Sequence, residues 1–164
     1  MPIKGVEQPA ILPVEGGLRL RRYAGECDFA LDWYQDPDTL LLVDGKTDPY
    51  TPERLRQMYE YLNRKGELYF IEVLEQDVWR PVGDVTFWQQ DMPIVVGEKS
   101  LRGHGIGEKV VKRLVQRGRE LGYAELFVEE IYTWNPASRR CFEKAGFLPF
   151  APTEKGCSYR LVLK

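Results

Sequence analysis

The chain has 164 residues, 29% of them charged and 43% hydrophobic, with a formal net charge of −2. A chain of this length buries roughly 70% of the surface its unfolded form exposes around one core, so a single domain over residues 1–164 is expected. Acidic and basic residues are mixed, which gives no electrostatic footprint for nucleic acid, and no apolar run approaches the roughly 20 residues of a membrane span.

Residues 1–15 read as a partly ordered leader that lacks the charged-then-apolar layout of an export signal. Cys27, Cys141 and Cys157 form no close pair and leave one over if two were bridged, which fits a reducing, cytoplasmic setting and no metal site. Leu18 to Tyr23 alternates apolar and basic residues after Gly16-Gly17 and predicts a strand, and Asp28 to Tyr34 predicts a short helix. Asp44-Gly45 and Asp48-Pro49 are turn signals. Thr51-Pro52-Glu53 then supplies an N-cap, a proline at the first helical position and an acid at the positive end of a helix striped by Leu55, Met58, Tyr59 and Leu62.

Leu68 to Leu74 and Pro81 to Trp88 flank polar Glu75-Gln76-Asp77 and predict an antiparallel hairpin. Ile94-Val95-Val96 is a third short strand feeding a glycine-rich turn at Gly103 to Gly107. Ile106, Val110, Val111, Leu114, Val115 and Leu121 follow at helical spacing, closed by Gly122. A strand from Glu125 to Ile131 precedes Asn135-Pro136, which caps a last helix ending at Gly146. Phe147 to Phe150 and Ser158 to Leu163 complete the strands.

The chemistry concentrates at Arg102-Gly103-His104-Gly105-Ile106-Gly107, where alternating glycines open a helix. Glycines admit close backbone approach, and the unpaired amides and positive dipole end of the helix suit a diphosphate, with Arg102 adding charge. A Walker A loop and the dinucleotide fingerprint both fail on spacing, the latter because Glu108 stands where glycine is needed.

This segment resembles the coenzyme A motif of the GNAT acetyltransferases, Arg/Gln-x-x-Gly-x-Gly/Ala. Asn135 to Phe147, an Asn opening a helix that ends Lys-Ala-Gly-Phe, is similar to that superfamily's downstream element. The resemblance runs from about Val82 to Phe147. It is nearest in motif to the aminoglycoside 6′-N-acetyltransferases and the enzymes that acetylate ribosomal-protein N-termini.

The resemblance implies an α/β (α+β) fold with a mixed, largely antiparallel sheet of about six or seven strands flanked by about four helices. It implies acetyl-coenzyme A as cosubstrate, with pyrophosphate on the amides of Arg102 to Gly107. Val95, Val96 and Gly97 fall on the strand that bonds the pantetheine arm, and Asn135 and Ser138 meet that arm from the other side. The acceptor it implies is an amine of a small molecule or a protein N-terminus, with neither nucleic acid nor membrane as partner; a homodimer stays open.

Direct attack on the thioester needs a neutral amine, so a carboxylate near the acceptor is expected. Glu129 and Glu130 end the strand before Asn135, and strand alternation predicts that they face opposite ways. Glu130 matches an acidic position of the aminoglycoside 6′ enzymes and is the first candidate; Asp84 and Asp91 are weaker ones. Many superfamily members protonate the departing thiolate with a tyrosine where this chain has Phe142. Tyr132 is the candidate substitute, although a thiolate leaves without an obligatory acid. The missing tyrosine also keeps open a second class, a non-catalytic acetyl-coenzyme A sensor or interaction module. His104 reads as a solvated side chain within the cradle, Cys141 as small packing, and Trp88 and Trp134 as core-edge residues or walls of an acceptor pocket.

Overall fold

The computed structural model describes residues 1–164 and divides into two compact units, residues 1–88 with 94–100, and residues 89–93 with 101–164. Its eight strands form sheets of five and three, every pairing antiparallel, with four α-helices and two 3-10 segments. The α+β class is as expected. No helix is long and apolar enough to cross a membrane.

The first unit carries β1 (Ile11–Glu15), β2 (Leu18–Arg22), β3 (Glu67–Glu75), β4 (Val78–Phe87) and β5 (Ile94–Val96), ordered β1-β2-β3-β4-β5. β1 lies within the stretch read as a leader and pairs with β2 from Ile11 opposite Arg21 to Glu15 opposite Leu18. The β3–β4 hairpin turns at Gln76 and Asp77, both at positive φ (50° and 63°), as a tight right-twisted turn requires. A 3-10 segment, Asp28–Gln35, stands where the sequence predicts a helix.

Helix α1 (Pro37–Asp44) is an element not predicted from the sequence; Asp36 caps it by accepting from the Thr39 amide at 2.9 Å. Helix α2 (Pro52–Lys65) begins as expected, with Thr51 Oγ1 accepting from the Arg54 amide at 3.2 Å. Leu55 and Tyr59 of α2 join Tyr23, Ala30, Trp33, Tyr34, Leu40, Leu68 and Phe70 in a buried core against which Val95 packs.

The second unit holds helix α3 (Ile106–Glu120), strand β6 (Glu125–Tyr132), helix α4 (Pro136–Lys144), β7 (Leu148–Pro152) and β8 (Gly156–Val162), its sheet ordered β6-β8-β7. Val110, Val111 and Leu114 of α3, Leu126 and Val128 of β6, and Phe142 and Phe147 are all buried. A second 3-10 turn spans Lys99–Leu101.

Candidate active site

The three capped helices throw α3 into relief. Asp36, Thr51 and Asn135 each accept a backbone amide at the start of α1, α2 and α4, whereas α3 follows Gly105 with no side chain capping it. The first amides of an α-helix have no partner inside it, and they carry the positive end of its dipole. Gly103 and Gly105 hold φ of +79° and +85°, the left-handed region that glycine enters without strain. A Cβ would meet nothing within 4 Å at Gly103, and only the Lys109 side chain at 4.0 Å at Gly105. The loop is therefore open over these two glycines.

The third glycine has another role. A Cβ on Gly107 would lie 3.0 Å from Cys141 Sγ, so Gly107 lets α3 and α4 approach closely. Burial pushes the Cys141 thiol up from its ordinary value, which keeps it protonated and suits packing. His104 is exposed, as read from sequence.

Asn135 Oδ1 accepts from the Ser138 amide at 3.1 Å, the capping bond that starts α4. Its amide nitrogen is the group with which it would donate to a ligand carbonyl. Tyr132, just upstream, stacks on Trp134 with ring centroids 4.5 Å apart and planes 20° from parallel. Phe142 is fully buried and meets Phe147 edge-on at 5.3 Å, a core contact with no proton to offer.

The acidic candidates depart from the sequence reading. Val128 of β6 pairs with Tyr159 but Ile131 pairs with Cys157, so Glu129 and Glu130 together oppose Ser158 in a β-bulge. Buried Val128 and Ile131 flank the pair, and neither glutamate is buried. The expectation that the two face opposite ways is corrected: the extra residue cancels one step of the alternation. Glu130 Oε2 accepts from the Lys155 amide at 3.1 Å, and the Thr153 hydroxyl with that amide holds its carboxyl below the usual carboxylate range.

Asp91 Oδ1 accepts from the amides of Met92 (2.9 Å) and Glu129 (3.1 Å); burial pushes its carboxyl up to about 6. Asp84 is buried on β4, where Oδ2 accepts from the hydroxyls of Tyr34 (2.6 Å) and Tyr59 (2.8 Å). Desolvation raises its carboxyl to about 6 against the pull of those two bonds.

β5 ends the order of its sheet, with Val95 opposite Asp84 and Val96 opposite Gly83. The Gly97 and Glu98 amides both donate to Val82 O, at 2.8 and 3.1 Å. Gly97 therefore points its amide into the sheet, where Val82 engages it. By antiparallel alternation Val95 also faces β4, and Val96 presents its backbone to the outer edge. Register against Val82, invisible in the sequence, decides this.

The α3 N-terminus is thus an uncapped helix start behind two open left-handed glycines. Residues 28–147 match the Acetyltransferase (GNAT) family, and the chain belongs to that family. No curated protein matches the sequence. Among solved structures, an acetyltransferase of the GNAT family from Bacillus anthracis is similar with TM-score 0.74 at 15% identity, covering 93% of this chain and 98% of that one. Aminoglycoside acetyltransferase AAC(6')-Ib, in complex with coenzyme A and kanamycin, gives TM-score 0.71 at 15% identity over 89% and 95% of the two chains. Spermidine N-acetyltransferase from Vibrio cholerae, with CoA and spermine, gives 0.69 at 14% over 90% and 96%. At these identities the likeness shows the shared fold.

Proposed function

We propose that this chain transfers an acetyl group from acetyl-coenzyme A to a primary amine, of a cationic small molecule or a protein N-terminus, by direct attack. The observation that carries the reading is the uncapped α3 start behind Gly103 and Gly105, whose free space and backbone conformation fit a diphosphate. Arg102 to Gly107 would hold that diphosphate and Asn135 would donate to the amide-bearing arm; β5 is the strand that the resemblance assigns to that arm. Acetyl-coenzyme A, as substrate, supplies an acyl thioester.

In the reaction the amine nitrogen bonds to the acetyl carbon, the carbon–sulfur bond breaks, and coenzyme A leaves as thiolate. The proton lost by the amine passes to a carboxylate or to water. Glu130 is ionised at neutral pH and, with its carboxyl held low, is a weak proton acceptor. It is better suited to attracting a cationic amine and to acting through water. Tyr132, fixed by its stack on Trp134, is the proposed source of a proton for the thiolate.

The buried Phe142 favours a second reading, a non-catalytic acetyl-coenzyme A binding module, since no hydroxyl stands at that helix position. Thiol release from acetyl-coenzyme A with a panel of amines tests the choice. Amine-dependent release supports transfer. Binding of coenzyme A without release by any amine supports the module.

A further inference from the structure

We propose that Asp84 is a positioning residue: through Tyr34 it holds the 3-10 segment Asp28–Gln35 so that the Trp33 indole lies against Gly97 and fixes the end of β5. Its bearing on coenzyme A rests on the reading of β5 as the strand that bonds the cofactor arm.

The chain of contacts is continuous within one unit. Tyr34 reaches Asp84 Oδ2 at 2.6 Å, and the adjacent Trp33 fills the space that a Cβ on Gly97 would need, the indole and that Cβ being mutually exclusive. Trp33 Nε1 donates to Glu98 Oε1 at 3.4 Å. Gly97 and Glu98 are the two residues whose amides share Val82 O, so the indole lies where β5 stops pairing with β4. Lys99 follows at once and bridges Asp36 at 2.7 Å and Asp38 at 2.8 Å.

A 3-10 segment has poorer internal hydrogen bonds than an α-helix and relies more on outside anchors. This one has the Tyr34 hydroxyl on Asp84 and the Tyr50 amide on Tyr34 O at 2.9 Å. Burial keeps the Tyr34 and Tyr59 hydroxyls protonated, and a buried carboxylate strengthens the bonds it accepts.

Tyr59 provides the control. It donates to the same Oδ2 at 2.8 Å and meets the Tyr34 ring edge-on at 6.2 Å, but it sits on α2, outside the segment that carries Trp33. If Asp84 were only a strut, removing either hydroxyl would act alike. If it positions the strand end, the Tyr34 bond is the one that carries over to Gly97, through the adjacent Trp33.

The experiment compares Tyr34→Phe, Tyr59→Phe and Trp33→Leu in the full chain. Nuclear magnetic resonance reads the indole ring-current shift on the Gly97 α protons, calorimetry reads coenzyme A affinity, and urea unfolding reads stability. Tyr34→Phe should diminish the ring-current shift that Trp33→Leu abolishes, and both should weaken coenzyme A between roughly 2- and 30-fold. Tyr59→Phe should keep the shift and the wild-type affinity while losing comparable stability. An equal response of Gly97 to both tyrosine substitutions, or none to either, overturns the positioning role. If Gly97 responds as expected but the wild type fails to bind coenzyme A, the positioning of the strand end stands and the reading of β5 as the cofactor strand falls.

Discussion

Glu129 donates its backbone amide to Asp91 Oδ1 at 3.1 Å, across 38 residues of sequence, at the bulge where both strand-end glutamates oppose Ser158. A bulge leaves one amide without a ladder partner, and a hydrogen bond to a charged group contributes about 1.5–3 kcal/mol. Asp91→Ala should therefore lower stability by about that amount and speed hydrogen exchange at the Glu129 amide. Asp91→Asn keeps an acceptor oxygen and should leave both close to wild type. Equal loss in the two variants would assign the effect to the charge.

The pH dependence of stability should carry the signature of Asp84. Its carboxyl is raised from 3.8 to about 6 in the folded chain, chiefly by desolvation. A raised carboxylate binds its proton more tightly folded than unfolded. Its contribution is thus favourable below about pH 4 and is lost as pH rises through about 6, roughly 3 kcal/mol by neutrality. Asp84→Asn still accepts from the two tyrosines and has no charge to desolvate. The difference in unfolding free energy between variant and wild type should grow in the variant's favour from about pH 4 to about pH 7, and a flat difference would refute the assignment.

At the cradle, Gly105→Asp places a carboxylate where an anion is expected and should abolish measurable coenzyme A binding in a calorimetric titration. Gly105→Asn tolerates the left-handed backbone and adds no charge, so it should retain part of the affinity. Gly107→Val should instead lower stability through its contact with Cys141. Wild-type affinity in Gly105→Asp would remove the cradle from the mechanism.

Phe142→Tyr introduces a hydroxyl into an apolar, fully buried position and should cost about 1–3 kcal/mol of stability with little gain in turnover. Tyr132→Phe should reduce turnover by roughly 10²- to 10⁴-fold if its hydroxyl protonates the leaving thiolate. Steady-state rates on the best amine of the panel decide the matter. A rate insensitive to Tyr132→Phe indicates unaided departure.

Glu130→Gln keeps an oxygen that can accept from the Lys155 amide and removes the charge. Coenzyme A affinity should hold while KM for a cationic amine rises; a neutral amine or a weakly charged peptide should be affected less. Because the bulge cancels the alternation, Glu129→Gln belongs in the same assay as a second candidate. A larger effect there would move the acceptor side to Glu129.

What the sequence alone determined is local. The glycine-rich turn from Gly103 to Gly107, the Thr51 and Asn135 caps, the Gln76-Asp77 turn and the helix and strand periods all rest on residues within four positions of one another. Backbone dihedrals and side-chain reach act over that span. The Ile11–Glu15 strand carries Pro13 at its centre and α1 has only eight residues, so neither shows a clear period in the sequence.

Tertiary structure decided which groups are engaged. Gly97 points its amide inward because of register against Val82. Gly107 serves helix packing because Cys141 arrives from α4. Glu129 and Glu130 share a bulge because one extra residue in β6 breaks a period-two pattern, and Asp84 is a buried anchor because Tyr34 and Tyr59 converge on it. Each of these depends on segments far apart in the chain meeting in one register, and a period read along a single strand carries no information about its partner.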